Sequence, residues 1–146
     1  MQRIATSIDI AAPVERVWSL LMDFASYPQW NPFVRKIAGT GTPGDTLQVT
    51  IAPEGGREMS FQPKVLVRDS NREFRWRGKV LFAGVFDGEH SFQLAAPTPE
   101  TCKFVHEEIF TGILASLIMR GSTKSGTQSG FEAMNRALKA RAEGDA

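Results

Sequence analysis

Cysteine is almost missing from this chain. Cys102 is the only one in 146 residues, which rules out an internal disulfide and a cysteine-rich zinc site. Histidine is nearly as scarce, so any imidazole chemistry must come from His90 and His106. Neither sign of charge dominates: 17 basic residues face 16 acidic ones, and a formal net charge of +1 gives no electrostatic pull toward nucleic acid or an anionic membrane. No stretch of about eighteen apolar residues occurs, which argues against stable membrane insertion. The N-terminal MQRIATSIDI lacks the basic, apolar, small-residue order of a signal peptide, so a cytoplasmic location is expected. There is no G-x-S-x-G elbow, and Cys102 has no activating neighbour in sequence. GTGTPG at 39–44 matches G-x-G-x-x-G in form only, because the alternating TLQVTI that follows is not a helix and Pro43 interrupts it. Two histidines and a carboxylate could offer three metal ligands, but tight ligand spacing is missing, so neither a metal nor a cofactor is expected.

What is present reads as one domain over 1–146, with 42% hydrophobic residues. Ile4, Thr6, Ile8 and Ile10 alternate with Arg3, Ala5, Ser7 and Asp9, a half-buried strand. The period then changes. Pro13 suits a helix start, and Val14, Val17, Trp18 and Leu21 form an apolar stripe that ends near Asp23. Pro28 and Pro32 forbid one long continuation, so DFASYPQWNPF is expected to be a kink and a short second helix. Trp18, Phe24, Trp30 and Phe33 read mostly as core, while Tyr27 and Trp30 could bring an amphipathic ring to a cavity.

Strand and turn patterns follow at 33–38, 46–52, 57–68, 73–80, 86–95 and 101–110, spaced as an antiparallel meander; with the first strand they make seven. From about Ser122 to Glu143 the pattern is helical, with Phe131, Met134, Leu138 and Ala142 on one face. Its beginning, GSTKSGTQSG, is rich in glycine and small polar residues that disfavour a helix.

This order of elements, with PVERVWSLLMDFASYPQWNPFV near the start, GEHSFQL and FVHEEIFTG on the last two strands and GFEAMNRALKARAE at the end, resembles the START-related helix-grip superfamily (SRPBCC), particularly its polyketide cyclase/dehydrase-like members. The resemblance implies an α+β fold: a seven-stranded curved antiparallel sheet wrapped around a long C-terminal helix, with two short helices after the first strand. It also implies a cavity between sheet and helix. It does not specify an activity, because fold does not fix function.

Strand parity then sorts the inward residues. Phe74, Trp76, Gly78 and Val80 share one face of 73–80; Gly88, His90, Phe92 and Leu94 share another; Phe104, His106, Glu108 and Phe110 form the third set. A turn centred near Ala83 places Trp76 opposite His90. One centred near Thr98 places His90 opposite His106 and Phe92 opposite Phe104. The expected site is therefore a Trp76, His90, His106 row with Glu108 beside it, and an apolar wall of Phe61, Trp76, Phe92, Phe104 and Phe110. The imidazoles could orient a carbonyl or phenol and shuttle a proton, or simply satisfy one another in a core. Connections at one end of the meander are apolar, so Phe82, Leu114 and Leu117 are expected at the cavity mouth; alternatively 113–119 is the long helix's first turns packed inward.

Three functions fit these features. The leading one is binding of a small hydrophobic molecule, lipid-like, aromatic or polyketide-like. The second is a cyclase or dehydratase using His90 and His106 as acid and base, with Glu108 beside them. The third is a protein-interaction module like the superfamily's co-chaperone branch, working through the apolar end.

Overall fold

The computed structural model describes residues 1–80 and 84–144, so the mouth position expected for Phe82 lies outside the described residues. The chain runs β1 (Gln2–Ile10), α1 (Val14–Met22), a 3-10 turn (Phe24–Ser26), α2 (Tyr27–Trp30), β2 (Val34–Ala38), β3 (Gln48–Ile51), β4 (Met59–Phe61), β5 (Lys64–Asp69), β6 (Glu73–Val80), β7 (Phe86–Thr98), β8 (Thr101–Thr111), α3 (Ala115–Ile118) and α4 (Gly121–Ala142). It is an α+β helix grip with a long C-terminal helix.

Among the described residues eight strands are formed rather than seven, in two antiparallel sheets ordered β1-β8-β7-β6-β5 and β2-β3-β4. The extra strand arises because 57–68 divides at Gln62 and Pro63. Proline has no amide to give a ladder, so the chain leaves one sheet after Phe61 and enters the other at Lys64. A single bridge, Thr46 to Lys64, links the two sheets.

The helical elements follow the sequence pattern closely. Val14, Val17, Trp18 and Leu21 are the buried stripe of α1, and the Pro13 carbonyl accepts from the Arg16 and Val17 amides as the helix begins. Pro28 occupies the first turn of α2, where its missing N–H matters least. Asn31 then ends this short helix: its Oδ1 accepts from the amides of Phe33 and Val34 at 3.0 and 2.9 Å and directs the chain into β2.

In α4 the expected face of Phe131, Met134, Leu138 and Ala142 is buried. The helix passes so close to β2 that a Cβ at Gly130 would lie 2.4 Å from the Phe33 ring. Glycine there lets the helix lean onto the aromatic core. The glycine-rich first half of α4 is helical despite its poor propensity, and its small side chains leave a space between helix and sheet that larger ones would fill.

The short α3 is separate from α4. Around it, Ala115 and Met119 are buried while Ile113 and Leu117 are 82% and 55% exposed, so 113–119 is neither wholly core nor wholly surface.

Candidate functional site

The inward faces of β6, β7 and β8 meet as strand parity requires. Trp76 lies opposite His90, as the turn centred near Ala83 implies. The β7–β8 hairpin differs: His90 lies opposite Glu108, Phe92 opposite His106, and Leu94 opposite Phe104. The turn falls at Pro99 and Glu100, with Thr98 paired to Thr101 and an irregularity between Ala95 and Thr98, so the register moves by two residues from the expected one. A two-residue shift keeps every side chain on its face, whereas a one-residue shift would have put the two histidines on opposite faces of the sheet.

The shift brings the titratable groups into a chain. His90 Nδ1 is 3.1 Å from Glu108 Oε1, and its Nε2 is 2.7 Å from His106 Nε2. On the far side His106 Nδ1 is 3.0 Å from Asn135 Oδ1, the Asn135 amide donates to Thr6 Oγ1 at 2.8 Å, and the Thr6 hydroxyl donates to the His106 carbonyl at 3.0 Å. Aromatic rings fix both imidazoles. Trp76 stacks on His90 with centroids 4.7 Å apart, and Phe131 lies 4.0 Å from the His106 ring and 4° from parallel.

Donor and acceptor types give the chain a direction. The ring nitrogen of His106 that faces α4, Nδ1, meets Asn135 Oδ1, which can only accept because the Asn135 amide nitrogen is engaged with Thr6 Oγ1. It therefore carries the hydrogen, and His106 Nε2 presents a lone pair to His90 Nε2–H. Burial, reinforced by neighbouring His90, holds the His106 imidazole well below its ordinary value, so it is neutral at pH 7.

A depressed folded-state value means that acid destabilises the fold. Above about pH 6.5 His106 is neutral whether folded or unfolded; below it the unfolded chain takes up a proton that the folded one refuses, a loss of about 1.4 kcal/mol per pH unit. Urea unfolding between pH 7.5 and 5 should show this slope, and His106→Gln should remove it.

Next to this network lies an open cavity of about 1040 Å³, between β3–β4, the ends of β6–β8, α3 and the first half of α4. Its wall includes Phe61, Phe86, Phe110, Val49 and Met119, together with Thr123, Gly126 and Thr127 of α4. Of the expected site residues, Phe61, His90, Glu108 and Phe110 line it. His106, Trp76, Phe92 and Phe104 do not; they sit in the packed half of the sheet behind it.

The remaining candidates also lie away from the wall. Tyr27 is buried with its hydroxyl donating to the Leu21 carbonyl at 2.7 Å, and burial together with Asp23 raises its phenol far above the ordinary value. Trp30 packs beside it, with ring centroids 5.2 Å apart. Leu114 and Leu117 are outside the lining, whereas Ile118 and Met119 are part of it. Burial pushes the Cys102 thiol up to about 11, which leaves no thiolate for nucleophilic work. Among the described residues no group of three or more His, Cys, Asp or Glu is arranged to hold a metal ion.

Sequence reasoning missed Asn135, Thr6 and Gly88. Asn135 had a signal: it lies on the same helical face as Phe131, Met134 and Leu138, a polar residue inside an apolar stripe. Gly88 is the space Glu108 needs, since a Cβ there would stand 2.3 Å from Glu108 Oε2.

Residues 1–143 match the family model described as polyketide cyclase / dehydrase and lipid transport. The chain belongs to this polyketide cyclase/dehydrase and lipid transport family. Solved structures agree on the fold. A START superfamily protein from Mycobacterium smegmatis is 20% identical with a TM-score of 0.74, covering 99% of both chains. The Zhui aromatase/cyclase from Streptomyces sp. R1128 is 15% identical with a TM-score of 0.72, covering 97% of this chain and 93% of its own. A hypothetical protein from Helicobacter pylori is 11% identical with a TM-score of 0.75, covering 97% and 88%. No curated protein matches the sequence. At these identities the likeness shows the fold alone, and the chemistry must be argued from this chain's own residues.

Proposed function

We propose that the protein binds a small hydrophobic molecule, lipid-like, aromatic or polyketide-like, in the cavity between its sheets and α4. The observation that carries this reading is the cavity itself, about 1040 Å³, where Phe61, Phe86, Phe110, Val49 and Met119 supply apolar wall, His90 and Glu108 are bonded to each other, and Lys36, Glu54, Arg57 and Lys79 add charged groups. Ligand sites combine a mostly apolar wall with a few polar groups that fix orientation, and typical ones occupy roughly 300–1,000 Å³. The small residues of α4 support the same reading: a helix that served only as a plug would gain stability from larger side chains here.

A cavity-filling variant tests it. Thr127 is buried and lines the hollow, so Thr127→Trp should reduce the affinity for a fluorescent apolar probe by at least about tenfold, or 1.4 kcal/mol, while the protein remains folded. Unchanged probe affinity in a folded variant would place the binding elsewhere.

The second reading, a cyclase or dehydratase, is favoured by the directed chain from Asn135 through both histidines to Glu108. In it Glu108 and His90 are the acid and base at the cavity wall, and His106 is a positioning residue that never meets substrate. Loss of an acid or base typically lowers a rate by 10²–10⁴-fold, so Glu108→Gln that bound ligand normally but turned over as fast as wild type would exclude this reading.

A further inference from the structure

We propose that Glu108 Oε2 is the acceptor for a hydroxyl group on the bound molecule, so that the guest is an apolar compound carrying an alcohol, phenol or enol O–H at its inner end. This rests on the binding reading above and deepens it.

The hydrogens along the network fix the polarity of this oxygen. His106 must donate through the nitrogen facing Asn135 Oδ1, so its Nε2 can only accept. His90 therefore donates from Nε2 across the 2.7 Å contact. At the other end of His90, one proton lies between Nδ1 and Glu108 Oε1, 3.1 Å apart. That proton sits on the carboxyl, which then donates to a neutral imidazole, or on His90, which then donates to a carboxylate. In both arrangements Oε2 carries no hydrogen and is an acceptor.

Among the described residues nothing satisfies that atom. Oε2 makes no hydrogen bond among the described residues, the Glu108 side chain retains 14% exposure, and both Glu108 and its neighbour Gly88 line the cavity. Gly88 is also what keeps this position clear, because any Cβ would occupy the space at Oε2. An acceptor of fixed polarity in an apolar wall selects for a donor, since an ether or ketone of the same shape would bring two acceptors together and leave both unsatisfied.

Matched aromatic probes test this: 2-naphthol, 2-methoxynaphthalene and naphthalene, with dissociation constants measured for wild type, Glu108→Gln and Glu108→Met. Wild type should prefer 2-naphthol over its methyl ether by about tenfold. Glu108→Gln should keep that preference within about threefold, because its amide N–H can serve His90 Nδ1 while its carbonyl takes the place of Oε2. Glu108→Met should lose the preference while still binding naphthalene. Equal affinity of wild type for 2-naphthol and its ether, or a preference that survives in Glu108→Met, overturns the assignment while leaving cavity binding intact. Loss of the preference in Glu108→Gln to the same degree as in Glu108→Met also overturns it. Failure of all three probes to bind the wild-type protein overturns the binding reading itself.

Discussion

Phe131→Ala should destabilise the protein by about 3–5 kcal/mol, a loss typical of truncating a fully buried aromatic. Phe131 is completely buried on α4. It stacks on His106 at 4.0 Å and meets Phe33 edge-on at 5.2 Å, so one ring holds together helix, imidazole and the start of β2. Gly130 brings the helix too close to Phe33 for the backbone to close further over a void, so the space left by the ring would remain. Phe131→Leu should lose less than half as much, because it keeps most of the volume. Urea denaturation of both variants checks the pair; a loss below about 1 kcal/mol for alanine would mean that the helix is not anchored through this ring.

The second large effect is expected at Asn135. Leucine has nearly the same shape but neither accepts from His106 nor donates to Thr6. Asn135→Leu should therefore cost about 2–3 kcal/mol, the penalty for leaving a buried donor poorly paired. It should also change the imidazole itself. Nitrogen-detected NMR should find the hydrogen of wild-type His106 on Nδ1, and in the variant a substantial population with it on Nε2, which would reverse the chain leading to Glu108. A variant as stable as wild type, with an unaltered tautomer, would show that Asn135 does not orient the ring.

These two residues also mark what could be read from the sequence. The burial of Phe131 followed from its spacing with Met134, Leu138 and Ala142, and the inward direction of both histidines followed from the period of two along β7 and β8. Both are local patterns, carried by consecutive residues. The hairpin register depended on where one turn closed: closure at Pro99–Glu100 and an irregularity near Ala95 together moved it by two residues, exchanging a His90–His106 pairing for His90–Glu108. The partition of the inner face into a packed half around Phe92, Phe104 and Trp76 and an open half around Phe110 and Phe61 was not legible, since the same aromatics can fill a space or line it. What decides is the opposite wall: Thr123, Gly126 and Thr127 are small, whereas Phe131 and Met134 are large. GSTKSGTQSG looked like a weak helix start, and its composition is better explained by the room it leaves.

Native mass spectrometry of freshly purified protein, sprayed under mild conditions, tests the central claim most directly. A population heavier by the mass of one organic molecule is expected, released on collisional activation and reduced in Thr127→Trp. Repeated spectra showing only the bare polypeptide mass, in wild type and variant alike and with a saturating apolar probe added, would contradict it.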